Sequence, residues 1–154
     1  VNSAVAVSTA MHGLALGEAF SFDSLVEVIE KRRGRSIRIV ELEELGHEAS
    51  LCALLVELEA EDLIFHAPTE SQLHRQQFVL HEIAHLILGH IDGEELRVPD
   101  FLLPDIPPAT RRRLLRRQNL NDPHEVAAES LADHLAAAIR LSVTHDSRFV
   151  EIFG

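Results

Sequence analysis

The residues best suited to chemistry lie between Phe78 and His90, in the run FVLHEIAHLILGH. His81, Glu82 and His85 follow the H-E-x-x-H pattern. Four residues of α-helix slightly exceed one turn, so the two histidines point the same way, about 40° apart. Both imidazoles can then reach one metal ion. The glutamate beside the first can act on a water held there without ligating the metal itself. Val79, Leu80, Ile83, Ala84, Leu86, Ile87 and Leu88 make the helix apolar nearly all round, which predicts a buried element that holds its imidazoles still. A five-residue pattern with two free positions also recurs by accident, and histidines on an apolar helix can be satisfied core residues. A third ligand therefore has to come from elsewhere in the chain.

The best source is a second helix. Asp122–Pro123 reads as an N-cap followed by proline at the first helical position, and HEVAAESLADHLAAAIRL continues it. Glu125, Glu129 and Asp133 are spaced by four and share a face, while Val126, Leu131, Leu135, Ala138 and Ile139 supply packing. Carboxylates in such a row repel one another unless a cation sits among them. Glu125 has a local task, reaching back to Asp122 in a capping box. Glu129 is therefore expected as the third ligand, with Asp133 one turn on as the carboxylate that orients a ligating histidine. The expected centre is one zinc per chain on His81, His85 and Glu129, with Glu82 as catalytic base. His74 shares the His81 face about 10 Å along the axis, and it and His124 are candidates to line the cleft. His90 falls about 180° round from His81 and is expected to serve the helix end. Leu88 and Ile91 stand where a metzincin needs glycine and a third histidine.

The remaining elements must position these two helices. The first stretch, 1–19, is small and apolar without a basic n-region. It predicts no secretory signal and is expected to be an arm with partial disorder or an extension, ahead of a single domain over 20–154. Ser21 or Asp23 can cap a helix carrying Leu25, Val26, Val28 and Ile29, which Gly34 can end. Ser36–Leu42 alternates like a strand, and Leu51–Leu58 with Asp62–His66 reads as a hairpin about Glu59–Ala60–Glu61. Pro68 and Thr69 are expected to open the motif helix, with Gln72 completing a capping box. After it, a proline-rich connection containing RVPDFLLPDIPPAT can serve as a lid or pack over the core. RRRLLRRQNL is expected to form a short helix with a solvated arginine face packed through Leu114 and Leu115. The fold class that follows is α+β: a small, mostly antiparallel sheet packed on the motif helix and the second ligand-bearing helix.

Composition narrows the function. The 154 residues suit one domain, and 46% hydrophobic with 25% charged residues is ordinary for a globular protein. A formal net charge of −11 opposes direct binding to nucleic acid or to an anionic membrane surface. The single cysteine, Cys52, excludes an intramolecular disulfide and suits a reducing compartment, so a cytoplasmic location is expected. Tyrosine and tryptophan are absent, which leaves His74, His124 or an arginine as the candidate oxyanion donor.

HEIAHLILGH, followed some forty residues later by ESLADHLAAAI, resembles the ImmA/IrrE-type metallopeptidases, whose second motif runs E-x-E-A-N/D-x-F-A-A. The likeness spans about residues 20–141. Glu129 matches the first acidic position and Asp133 the N/D position, while Leu131 replaces the second acidic residue and Leu135 the phenylalanine. The resemblance implies a zincin-like domain with a glutamate third ligand. It also implies a zinc endopeptidase that cuts a helix-turn-helix repressor or a similar regulatory protein. The alternative is a non-catalytic protein that keeps the metal for structure and docks a regulator, as a toxin–antitoxin component would. A DNA-binding role through the arginine run is opposed by the overall acidity.

Overall fold

The computed structural model describes residues 3–43, 45, 53–90, 113–116 and 123–153. Four helices and four strands follow in the order α1 (Ser3–Leu14), α2 (Phe22–Arg33), β1 (Ser36–Glu41), β2 (Ala53–Glu57), β3 (Glu61–His66), α3 (Gln72–Leu88), β4 (Arg113–Arg116) and α4 (Pro123–Phe153). The class is α+β. No helix among the described residues is long and apolar enough to cross a membrane.

The sheet has the order β1-β3-β2-β4. β2 and β3 form the expected antiparallel hairpin, with Leu55 opposite Ile64, and β1 joins β3 in parallel. β4 pairs antiparallel with β2 from Leu54↔Arg116 to Glu57↔Arg113. This corrects the helix expected over the arginine run: at Arg113–Arg116 the backbone is extended. A hairpin leaves one side of each strand with open N–H and C=O groups, and pairing with β4 meets that demand on β2. Two of the three pairings are antiparallel, as expected.

The apolar runs of β2 (Ala53–Val56) and β3 (Leu63–Phe65) are buried, because both faces of the hairpin are covered. Leu55 and Ile64 face the helices, in a core with Leu25, Ile29, Leu80, Ile83, Ala128, Leu131 and Leu135. Leu54, Val56, Leu63 and Phe65 point the other way, onto Leu45 and Ala67. Side chains alternate across a strand, so each hairpin strand serves two cores at once. The stretch expected as an arm contributes as well: α1 lies against α4, and its Val7 and Leu14 are buried in the helix-side core.

Local chemistry explains the helix ends. Ser21 caps α2, its hydroxyl accepting from Ser24 N–H at 3.1 Å, and Gly34 closes it in the left-handed region with its N–H on Glu30 O. α3 starts later than Pro68 and Thr69. Ser71 is the cap, accepting from His74 N–H at 3.3 Å, while Thr69 Oγ1 accepts from Ser71 N–H at 3.2 Å. The hydroxyl of Thr69 thus holds the turn before the helix, and Gln72 becomes its first residue. α4 begins at Pro123 as expected. The proline-rich lid candidate lies outside the described residues.

A second kind of order sits at the turn end of the hairpin. Glu57 and Asp62 are opposite one another across β2 and β3, and both carboxylates are buried. Arg33 grips Asp62 with two nitrogens, Nε to Oδ2 at 2.5 Å and Nη2 to Oδ1 at 3.1 Å. Its Nη2 also reaches Glu57 at 3.2 Å. Arg35 Nη1 lies 3.3 Å from Glu57 Oε1 and donates to Leu58 O at 2.8 Å. Burial works against the Arg33 charge, but Asp62 and then Glu57 outweigh it and hold the guanidinium above its ordinary range.

Candidate metal centre

α3 supplies two imidazoles and α4 the acid that meets them. The two helices pack side by side, with Ala128, Leu131, Ala132 and Leu135 of α4 in the same core as Leu80, Ile83 and Ala84 of α3. Small residues at this contact let the backbones approach closely enough for short polar side chains to meet. His81, His85 and Glu125 are all buried, and one donor atom from each lies within 4.8 Å of the others. His81 Nε2 is 2.7 Å from Glu125 Oε2, and His85 Nε2 is 3.3 Å from Glu125 Oε1. The two Nε2 atoms are 3.1 Å apart. Lone pairs at that distance repel, so a proton or a cation must lie between them. Two imidazole nitrogens and a carboxylate, converging in a buried space, fit zinc or another borderline divalent ion.

The carboxylate that converges with the two histidines is Glu125, where Glu129 was expected. Each four-residue step along a helix overshoots a full turn by about 40°. The row Glu125, Glu129, Asp133 therefore walks away from the core as it climbs. Glu125 is buried, the Glu129 side chain is 42% exposed, and Asp133 is exposed. Position along the helix axis had suggested Glu129, but rotation about that axis decides burial.

Glu129 takes the place expected for Asp133. Its Oε2 lies 2.7 Å from His81 Nδ1, placed to accept the Nδ1 hydrogen when the Nε2 lone pair is given to an ion. Asp133 is one bond further out. The Gln77 amide donates to Glu129 Oε1 at 3.2 Å and to Asp133 Oδ1 at 3.0 Å. Gln77 was not singled out from the sequence. Its signal was its place one turn before His81, on the face that meets α4.

Burial by itself would raise the Glu125 carboxyl. Hydrogen bonds from His81 and His85, with their charges, outweigh it and hold the group down at about 2. The two histidines thus hold Glu125 as an anion. Glu82 is buried at 2% exposure and does not belong to the converging donor group.

Of the two cleft candidates, His74 is exposed and lies against Phe78, with ring centroids 6.4 Å apart. His124 stacks on His90 at 4.1 Å. His90 is not opposite the motif face, as helical extrapolation suggested. Its Nδ1 is 2.9 Å from His85 Nδ1, because the helix has already ended at Leu88. Glycine before it was the readable signal.

Compared with known families, curated proteins and solved structures, the chain gives no match. The likeness to the ImmA/IrrE-type peptidases rests on the motif residues alone.

Proposed function

We propose that this chain is a zinc-dependent peptidase with a zincin-like arrangement, acting in the cytoplasm on a helix-turn-helix regulator. The observation that carries the chemistry is the buried convergence of His81 Nε2, His85 Nε2 and Glu125, with a buried Glu82 on the same helix. The substrate class comes from the resemblance in the two motifs. When bound, zinc supplies Lewis acidity, polarising a carbonyl and acidifying water near neutral pH. Everything else falls to the protein. His81, His85 and Glu125 hold the ion, Glu129 keeps the hydrogen on His81 Nδ1, and Gln77 holds Glu129. Glu82 takes a proton from the attacking water and returns it to the leaving amine. Among the described residues β1 and β4 are the two edges of the sheet, where an extended substrate segment adds as a further strand.

Glu82→Gln is the test. It keeps the size of the side chain and all three donors but removes the base. Zinc content should stay at about one per chain. Cleavage of a helix-turn-helix regulator that the wild type cuts should slow at least about a hundredfold, roughly 3 kcal/mol of barrier. Unchanged cleavage would remove Glu82 from the mechanism. A wild-type chain that holds zinc and binds the regulator without cutting it would leave docking as its function.

A further inference from the structure

Behind the second motif histidine stands a ring that the chemistry above does not use. α3 ends at Leu88, and Gly89, with φ 73°, takes the left-handed conformation that glycine adopts without strain. The turn sends His90 N–H onto His85 O at 3.0 Å. It also brings the two Nδ1 atoms of His85 and His90 to 2.9 Å, on the side of the His85 ring away from the metal centre. His90 is held in its own plane by His124 of α4, the rings stacked 4.1 Å apart at 11°.

Two ring nitrogens at hydrogen-bond distance share one hydrogen. If the Nε2 lone pair of His85 faces a metal, the neutral ring must carry its hydrogen on Nδ1. His90 Nδ1 is placed to accept it. We propose that His90 is the positioning residue for His85, accepting its Nδ1–H so that Nε2 points at the centre, as Glu129 does for His81. The two ligand histidines are then anchored by different groups, one carboxylate and one neutral imidazole. The stack on His124 keeps the accepting edge of His90 in place. This role rests on the metal centre proposed above.

The experiment uses the full chain, stripped of metal with a chelator and titrated with Co(II), whose visible spectrum reports ligand geometry. The wild type should take up one Co(II), and His81→Ala should abolish it. His90→Phe keeps a flat ring for His124 but accepts nothing, and should bind Co(II) about 10–100-fold more weakly with an altered spectrum. His90→Asn offers an amide oxygen near the Nδ1 position and should recover most of that loss. Wild-type affinity and spectrum in His90→Phe would overturn the role, and so would an equal loss in the Asn and Phe variants. A readout without variants comes from imidazole ¹⁵N spectra of the zinc-loaded wild type. There His85 should carry its hydrogen on Nδ1 and His90 on Nε2; a hydrogen on His90 Nδ1 would refute the assignment. A wild type that takes up no Co(II), or whose uptake survives His81→Ala, sinks the metal centre and this role together, which is distinct from failure of the role alone.

Discussion

At the turn end of the hairpin, Glu57 and Asp62 are buried face to face and two arginines close over them. Between α3 and α4, Glu125 is buried as deeply, but what meets it is a pair of imidazoles. Both clusters put carboxylates where water is scarce, and both satisfy them with nitrogen. The difference lies in the nitrogen. Guanidinium has only donors and stays charged at any ordinary pH, so its cluster is complete and has nothing to offer a cation. Imidazole can give up a hydrogen and present a lone pair, so the same burial leaves a centre that a divalent ion can enter. A buried acid on its own does not mark a metal site; the chemistry of its partners does.

This contrast can be broken most forcefully at Asp62. Asp62→Ala leaves two arginines over Glu57 alone, and should cost roughly 3–5 kcal/mol of folding stability, as removal of one partner from a buried ion pair does. Zinc at saturating concentration should not restore it. A loss below about 1 kcal/mol in urea unfolding would mean that this cluster is solvated, and the two regions would no longer differ as described.

A smaller effect sharpens the other side. Glu125→Gln removes a donor and should weaken zinc binding by more than about a hundredfold. Glu129→Gln disturbs only the hydrogen bond behind His81 and should cost about 10–100-fold. Competition with a coloured chelator reads both constants. The reverse ranking would return the third-ligand place to Glu129.

The smallest effect is in pH. In the metal-free protein the Glu125 carboxyl is held at about 2, below its ordinary 4.5. A depressed carboxyl stabilises the fold fully above its unfolded value and loses that contribution as pH falls toward the folded one. The stability gap between wild type and Glu125→Gln should therefore shrink as pH falls from about 4.5 to about 2. Thermal melts of chelator-treated protein across this window measure it. A gap that does not narrow on acidification would show that Glu125 is not held as an anion by His81 and His85.

Much of this was legible in the residues because it is local. The pairing of His81 with His85 follows from the period of a single helix. The hairpin follows from two apolar runs about a polar turn, and the ends of α2 from Ser21 and Gly34. Three things were settled only between elements. Arg113–Arg116 is extended because β2 has an open edge to pair with, and nothing in RRRLLRRQNL records that demand. His90 turns back to His85 because Gly89 leaves the helix, so helical counting past Leu88 fails. Glu125 rather than Glu129 is buried with the two histidines because α4 rolls Ala128, Leu131, Ala132 and Leu135 against its neighbours. That packing sets which edge of the acidic row faces the histidines. Spacing within a helix tells which residues share a side. The roll of one helix against another, set by the summed packing of its apolar face, tells which member of that side arrives.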